Sequence, residues 1–458
     1  PPTLSATRPG VSPRPLGHSP APLGRSPLPT SAIPPRGGRR PRLHGNAGHA
    51  PPPSLPPPRS ARHRPGGAPS WLRHHAATPS PWLRPTPSER GRSGDGGGGW
   101  AAGVPGGWPR GRVPGAAPSP RRMYRKEKSI QLKSSSAALY NNLSVLRLPG
   151  RQLACFGTVH GPSVNLVSAA ADGLGFSHRQ LQAKEGGMAV STSILTQAAW
   201  CVLPSRVLLV LTSQKGIQMY ESDGSIMVYW HALDVTEHPP GQAVFARGIA
   251  AAGGRFICVG TSSGLVLVFD IPHKGTNITV SEVLEQHHDA ITDIAAELGR
   301  APDGAGDLVT ADDSGTLCVW STGEEFTLLS KIPAFGCTCS SVKLWNGVVA
   351  AGYGNGQIRL YEAATGLLRA EVNAHARWIY ALDLAPETGK LLSGAEDSFV
   401  HVWKLSRNPE TNDVEVEHCH AECVTDTQVC GVRFCDPEGH SFAVTGYDLS
   451  EIIRYGQA

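Results

Sequence analysis

The first 122 residues contain no lysine, no cysteine and only two acidic residues, Glu89 and Asp95. They hold 29 of the 40 prolines together with 18 arginines, and residues 96–99 are all glycine. Such a composition cannot bury enough apolar surface to offset the entropy that ordering the chain would cost. We therefore predict a disordered Pro/Arg/Gly-rich tract over residues 1–122, with polyproline II character in places.

The chain opens on Pro1, and its first methionine is Met123. We interpret residues 1–122 as sequence upstream of the true translation start, which excludes them from the fold. Two alternatives stay open for the same tract. It could be a regulatory arm that binds acidic surfaces or readers of Pro-rich motifs, or a targeting peptide, although it lacks amphipathic spacing.

Positive charge is scarce in the remainder of the chain. Residues 1–122 carry a net charge of +16, whereas residues 123–458 carry −11 of the total of +5. Because a surface of net negative charge repels phosphate, the larger part predicts no nucleic-acid partner.

Residues 123–458 also lack any apolar run of 18 residues, and no signal peptide follows Met123, so we predict no membrane-spanning segment. All ten cysteines lie in this part, scattered singly over apolar runs, which favours a reduced, cytoplasmic setting. Peripheral association with vesicles or membranes through partners is not excluded. Nucleotide-binding glycine motifs, the His-Glu-x-x-His zinc motif and the nucleophile elbow are all missing from residues 123–458, so we predict no enzyme activity and no cofactor.

The stretch from His375 to Trp403 contains two alternating apolar runs around a sharp polar turn. Similar units repeat at intervals of 41 to 53 residues, and each ends a strand-like run with an apolar or aromatic residue. The seven end residues are Val167, Tyr220, Phe269, Trp320, Tyr361, Trp403 and Tyr455. Short strands separated by Gly, Asp, Asn or Ser turns exclude alternating strands and helices.

These units resemble repeats of the WD-repeat family, so the resemblance implies an all-β, seven-bladed β-propeller over residues 123–458. After Tyr455 only three residues remain, and the seventh blade therefore lacks its outer strand. We expect residues 129–133 to supply it, because such an N-terminal strand closes the ring and protects the exposed strand edges. The first blade should then begin at residues 144–148.

The resemblance also implies a hydrogen-bonded tetrad of His, Ser or Thr, Asp and Trp in well-preserved repeats. The matching residues are His375, Ser393, Asp397 and Trp403. A buried indole N–H and imidazole need such partners, so we interpret the set as a packing device, although His, Ser and Asp also make up catalytic sites.

A second repeat matches the tetrad less well. His287, Thr310 and Trp320 are in register, but Ser314 occupies the position of the acid and Asp313 comes one residue too early. We therefore predict only a partial tetrad there, with the acids of this turn hydrogen-bonded to their own backbone.

A metal site is conceivable at His418-Cys-His-Ala-Glu-Cys423, because thiolates and imidazoles bind zinc. However, regular strand alternation would point Cys419 away from His418 and His420, so we interpret the segment as an ordinary outer strand with free thiols. Cys337 and Cys339 should likewise diverge on a strand rather than form a redox pair.

The sequence thus favours a non-enzymatic scaffold that binds other proteins or peptides through its loops, and self-association is possible. Arg377 and Trp378 are the candidate contact residues, because Arg and Trp are enriched at interface hot spots. The competing interpretation of Trp378 is that it packs between blades. The alternative function is a propeller enzyme or metal-binding protein that uses the central cavity, for which we find no constellation of residues.

Overall fold

The computed structural model describes residues 123–148, 153–170, 175–185, 189–190, 192–233, 243–300, 302, 304–424 and 426–458. The predictions for residues 1–122, their disorder and their place upstream of a start at Met123, lie outside the described residues and stay predictions. No helix in the described part of the chain has the length and apolar character needed to span a bilayer.

Every regular element among the described residues is a β-strand, as the alternation predicted. Two short strands, β1 (Tyr124–Lys126) and β2 (Ile130–Gln131), precede the first complete sheet. The strands up to the third sheet are β3 (Ser144–Leu148), β4 (Leu153–His160), β5 (Ser163–Ala170) and β6 (Phe176–Gln182) in blade 1; the small hairpin β7 (Lys184–Glu185) and β8 (Ala189–Val190); β9 (Leu195–Val202), β10 (Val207–Ser213), β11 (Gly216–Glu221) and β12 (Met227–Ala232) in blade 2; and β13 (Ala246–Ala252), β14 (Phe256–Thr261), β15 (Val266–Asp270) and β16 (Thr279–Leu284) in blade 3.

The remaining blades follow the same antiparallel order, in which strands adjacent in the chain pair with each other. Their strands are β17 (Ile291–Ala296), β18 (Leu308–Asp312), β19 (Leu317–Thr322) and β20 (Phe326–Ile332) in blade 4; β21 (Cys339–Trp345), β22 (Val348–Tyr353), β23 (Gln357–Glu362) and β24 (Leu368–Asn373) in blade 5; β25 (Ile379–Ala385), β26 (Lys390–Ala395), β27 (Phe399–Arg407) and β28 (Val414–Cys423) in blade 6; and β29 (Val429–Phe434), β30 (Ser441–Gly446) and β31 (Glu451–Gln457) in blade 7. All seven predicted end residues lie in third strands, which confirms the seven-bladed propeller.

The N-terminus closes the ring, as predicted, but with a strand that is longer and divided. β2 pairs with β31 through Ile130 and Ile452, inside the predicted donor segment. β1 continues along the same edge, where Tyr124 pairs with Gln457. Between the two strands the backbone N–H of Glu127 still donates to the carbonyl of Arg454 at 2.8 Å. The closing edge therefore starts directly after Met123.

The core consists of apolar layers between neighbouring blades, and the first strands of the blades surround the axis next to one another. Each middle strand has a blade on both faces, so β10 is a nearly continuous apolar run that is buried almost throughout. The outer strand β24, in contrast, alternates exposed and half-buried residues. Because inner strands are buried and outer strands are partly exposed, the inner strand of each repeat appears in the sequence as an apolar run.

Candidate functional site

The four residues of the blade 6 tetrad are joined by one chain of hydrogen bonds. His375 Nδ1 lies 3.1 Å from Asp397 Oδ1, and His375 Nε2 lies 2.8 Å from Ser393 Oγ. Trp403 Nε1 donates to the same hydroxyl oxygen at 3.0 Å. The loop before β25, the second and third strands and the turn between them thus contribute one side chain each.

The direction of these bonds follows from the chemistry of the groups. An ionised Asp397 only accepts, so His375 donates from Nδ1 and its Nε2 accepts the Ser393 hydroxyl proton. Burial raises the pKa of Asp397, but hydrogen bonds from His375 and from the amides of Ala376 and Phe399 outweigh it, and the pKa is lowered. The set joins the loop before β25 to the second and third strands, so it fixes that loop against the sheet.

Blade 4 contains a second tetrad that is complete. His287 Nε2 lies 2.7 Å from Thr310 Oγ1, which also accepts the Trp320 indole N–H at 3.0 Å. His287 Nδ1 lies 2.8 Å from Asp312 Oδ2, and both side chains are almost fully buried. The prediction of only a partial tetrad was therefore wrong.

The reason is that the acid comes from the end of the second strand and not from the turn. Asp312 lies two residues before Ser314, the position at which we expected the acid. One oxygen of Asp312 accepts the amides of Ser314 and Thr316, while the other reaches His287. The same carboxylate therefore organises the turn and completes the tetrad. Of the two adjacent acids, Asp312 has this role and Asp313 does not.

Residues 139–142 lie across the axis at the end of the ring where the first strands begin, which we call the upper face. Asn141 has a left-handed backbone (φ 55°), which asparagine tolerates better than most residues. The hydrogen-bond partners of residues 140–142 come from six blades: Val159 in blade 1, Arg247 in blade 3, Asp293 in blade 4, Ser340 in blade 5, Tyr380 in blade 6 and Cys430 in blade 7. This segment, which the sequence pattern did not reveal, plugs the upper end of the central channel.

A fully buried arginine anchors the plug. The Arg247 guanidinium lies 3.8 Å from the ring centre of Tyr140 and donates to the carbonyls of Tyr140, Thr196 and Thr292. Burial lowers its pKa, while the nearby Asp293 acts in the opposite direction. Because three N–H groups of Arg247 donate to backbone carbonyls, we assign this residue the role of attaching blades 2, 3 and 4 to the plug.

Further charged groups on the first strands also bond to neighbouring backbone. Asp383 accepts the amide of Phe434 at 2.7 Å, and Arg433 donates to the carbonyl of Leu382 at 2.9 Å. Burial and the nearby Arg433 lower the pKa of Lys343. The bonds of Asp383 and Arg433 join blades 6 and 7 next to the axis, and Lys343 lies buried on the first strand of blade 5.

Arg377 and Trp378 belong to a continuous row of surface residues on the upper face, which we call the blade 6–7 ridge. The Trp378 carbonyl accepts the amide of Glu396, whose carboxylate lies 3.9 Å from the Arg377 guanidinium. Gln428 donates to the same carboxylate at 3.4 Å, and its own carbonyl accepts the amide of Tyr447. The ridge therefore consists of Arg377, Trp378, Glu396, Gln428 and Tyr447.

The two predicted contact residues differ in exposure. The Arg377 side chain is 66% exposed. Trp378 is half-buried, and its indole lies so close over Gly354 that a Cβ there would be 2.7 Å from the ring. Trp378 thus packs on blade 5 with one side of its ring and borders the ridge with the rest. Tyr447, which the sequence did not single out, is 55% exposed.

The His- and Cys-rich segment forms the outer strand β28, but its residues do not alternate regularly. Trp403 pairs with His418 and Val402 pairs with His420, so Cys419 is an extra residue in a β-bulge. His418 consequently faces Trp403, whereas His420 packs on Tyr124 toward blade 7. The expectation that both imidazoles share one face was wrong, and the bulge is the reason.

All ten cysteines are free thiols. Cys339 is fully buried in the core between blades 4 and 5, and burial raises its pKa well above the ordinary value. One group of possible metal ligands was missed by the sequence: Asp436, Glu438 and His440, whose ligand atoms lie within 4.8 Å of one another. Asp436 already accepts the amides of His440 and Ser441, so this group is first of all a turn.

Known proteins resemble this chain in sequence and in fold. The WDR54 family model matches residues 123–458. The chain is 66% identical to WD repeat-containing protein 54 of Mus musculus over 334 residues, which are 73% of this chain and 99% of that protein. It is 66% identical to the Homo sapiens protein of the same name over 333 residues, with the same coverage. A chain in a crystal structure of the mitotic checkpoint complex is similar in fold alone, with a TM-score of 0.55, 15% identity, and coverage of 76% of this chain and 97% of that one.

Proposed function

We propose that this chain, which belongs to the WDR54 family, is a non-enzymatic scaffold that presents binding surfaces to other proteins or peptides. The observation that carries the proposal is the blade 6–7 ridge. It places an exposed Arg and an exposed Tyr beside a half-buried Trp, the three residue types most enriched in interface hot spots.

Hydrogen bonds connect the residues of the ridge, and a pre-organised surface binds at a lower entropic cost. Trp378 rests on Gly354, and the backbone bonds from Trp378 through Glu396 and from Gln428 to Tyr447 fix the row in place. The blade 6 tetrad supports the same loop from below, since His375 lies two residues before Arg377. The tetrad therefore positions the ridge without taking part in contact.

The plug is the argument against the competing function, an enzyme or metal protein that uses the central cavity. Tyr140, Asn141 and Asn142 are buried at the axis. The acids nearest to them already accept backbone or amide donors. A substrate entering from the upper face would have to displace this segment and the hydrogen bonds that it makes to six blades.

The partner class follows from charge and chemistry. Residues 123–458 carry a net charge of −11, so we expect protein partners and no nucleic acid. A second copy of the chain is also a protein partner, so the proposal includes self-association. The free thiols, most of them buried or half-buried, support a reducing, cytoplasmic location.

The test is capture of partners from a cell lysate by the immobilised full chain and by three variants: Arg377→Ala, Trp378→Ala and Tyr447→Ala. We expect each variant to lose at least about tenfold of the captured partner, because hot-spot residues contribute roughly 2 kcal/mol or more. Arg255→Ala and Ile226→Ala, which are equally exposed in blades 3 and 2, are the controls and should capture as the unchanged chain does. Capture that is unaffected by all three ridge variants would place the binding surface elsewhere.

A further inference from the structure

Two histidines of blade 6 lie against each other beside the bulge at Cys419. His401 lies on the third strand of blade 6, and His418 lies diagonally opposite on the outer strand. His401 Nδ1 is 2.9 Å from His418 Nε2. His401 and Trp403 are two residues apart on one strand, so both face the side on which His418 lies.

The surrounding rings hold the pair in position. The His375 ring meets His401 edge-on at 4.7 Å between centroids, and Trp403 meets His418 edge-on at 4.8 Å. Phe399 stacks on the other side of His401 at 5.9 Å. Both nitrogens of His375 are occupied in the tetrad, so it orients the pair and does not compete as a ligand. His418 itself is exposed, so the pair is open to solvent.

We propose that His401 Nδ1 and His418 Nε2 together bind one divalent transition-metal ion in a tetragonal arrangement, the geometry that Cu²⁺ prefers. Metal–nitrogen bonds of about 2.0 Å that meet at a right angle separate the two nitrogens by about 2.8 Å, close to the distance found here. Tetrahedral ligands would need about 3.3 Å. Water or a ligand from a partner fills the remaining positions on the open side.

Binding requires a proton to move, and the rings allow it. In the pair of neutral imidazoles one nitrogen of the short contact carries the proton and the other accepts it. The metal takes both lone pairs, so that proton shifts to the far nitrogen of its own ring through solvent. Each ring stays neutral, no proton is released from the neutral pair, and one hydrogen bond is exchanged for two coordinate bonds.

The group Asp436, Glu438 and His440 provides a competing site and thus a control. Its side chains supply two carboxylates and one imidazole, but Asp436 is engaged with the amides of its own turn, and Lys390 donates to the carbonyl of Gly439 inside that turn. Cu²⁺ favours imidazole nitrogen over such carboxylates. The His401–His418 pair should therefore bind first.

The experiment is titration of the untagged full chain with Cu²⁺, followed by calorimetry and by electron paramagnetic resonance. Because the chain contains 18 histidines, the result is the difference between variants that share all the others. We expect His418→Gln, at an exposed position, to weaken the tightest site at least about tenfold and to reduce the nitrogen couplings from two imidazoles to one. His401→Asn should do the same.

His440→Gln, the matched control, should leave affinity and couplings unchanged. Cu²⁺ should also raise the melting temperature of the unchanged chain and not that of the His401→Asn/His418→Gln double variant, since a ligand of the native state stabilises it by mass action. Equal affinity in the unchanged chain and the double variant overturns the proposal, as does loss of the site in His440→Gln alone.

Discussion

Blades 4 and 6 differ from blade 5 in what holds the loop before the first strand. Blades 4 and 6 use the hydrogen-bonded tetrad with a buried histidine and an aspartate. In blade 5, Phe335 meets Tyr353 edge-on at 4.5 Å and lies 3.5 Å beneath the Arg359 guanidinium. The Tyr353 and Tyr361 hydroxyls are 3.1 Å apart. An aromatic and cationic cluster thus replaces the tetrad in an otherwise similar blade.

The comparison shows that either a tetrad or an aromatic cluster can hold the loop before the first strand against its blade. A catalytic centre could not be exchanged for rings without loss of its chemistry, whereas a packing device can. The tetrads should therefore contribute to stability in a way that depends on pH, whereas the cluster of Phe335, Tyr353 and Tyr361, which contains no acid, should not.

The largest effect is expected in blade 4. Asp312→Ala removes the acceptor of His287 and of the turn amides in a nearly dry site, so we expect a loss of about 3 kcal/mol in the free energy of unfolding. Urea denaturation of the full chain measures it. Asp313→Ala is the matched neighbour, whose carboxylate is not the partner of His287, and it should cost less than Asp312→Ala does. Equal losses for the two variants would show that these acids stabilise the turn and that the bond to His287 adds nothing.

A smaller loss is expected from the same change in blade 6. Asp397→Ala also removes the acceptor of a tetrad histidine, but the carboxylate is 12% exposed and water replaces part of what is lost. We expect about 2 kcal/mol by the same denaturation. A loss larger than that of Asp312→Ala would contradict the ranking by burial.

Acid should reduce the difference between the unchanged chain and these variants. Burial raises the pKa of Asp312, but hydrogen bonds from His287 and Ser314 outweigh it, so the folded pKa lies below the ordinary value of 3.8. A depressed carboxyl pKa stabilises the fold above pH 3.8, and that stabilisation disappears as the pH falls through the folded pKa. The Asp312→Ala difference should therefore shrink between pH 5 and pH 2.5, and a constant difference would show that the charge is irrelevant.

The smallest effect is expected in blade 5. Tyr361→Phe removes one hydroxyl of the Tyr353–Tyr361 pair and leaves the ring packing intact, so the expected loss is about 1 kcal/mol. This loss should be the same at pH 7 and at pH 4, because the pair contains no carboxylate. A loss that changes over this range would show that blade 5 shares the electrostatics of its neighbours.

The sequence predicted the parts of the fold that repeat. Seven runs ending at residues such as Tyr361 and Trp403 mark third strands, because the apolar residues of these inner strands are buried between neighbouring blades. The closing strand was located from the missing outer strand of blade 7. Its division around Glu127 could not be predicted, because pairing with β31 leaves no mark in so short a segment.

The features that do not repeat escaped sequence reasoning. Residues 139–142 have no periodicity, and only the assembled ring shows that they lie at the axis. The bulge at Cys419 is one extra residue, and a single residue inverts the faces of everything before it. Asp312 was assigned to the turn and not to the tetrad, because the sequence does not show that a carboxylate at the strand end can reach the histidine.

The most direct test of the separate roles of ridge and tetrad compares one variant of each in a single capture measurement. Arg377→Ala/Tyr447→Ala alters the ridge, whereas Asp397→Ala alters the tetrad beneath it. We predict that, at a temperature where both are folded, the ridge variant loses its partners with an unchanged melting temperature. The tetrad variant loosens the loop before β25 but keeps every contact side chain, so it should lose less capture than the ridge variant and have a lowered melting temperature. Loss of capture in Asp397→Ala together with full capture by the ridge variant would contradict the account.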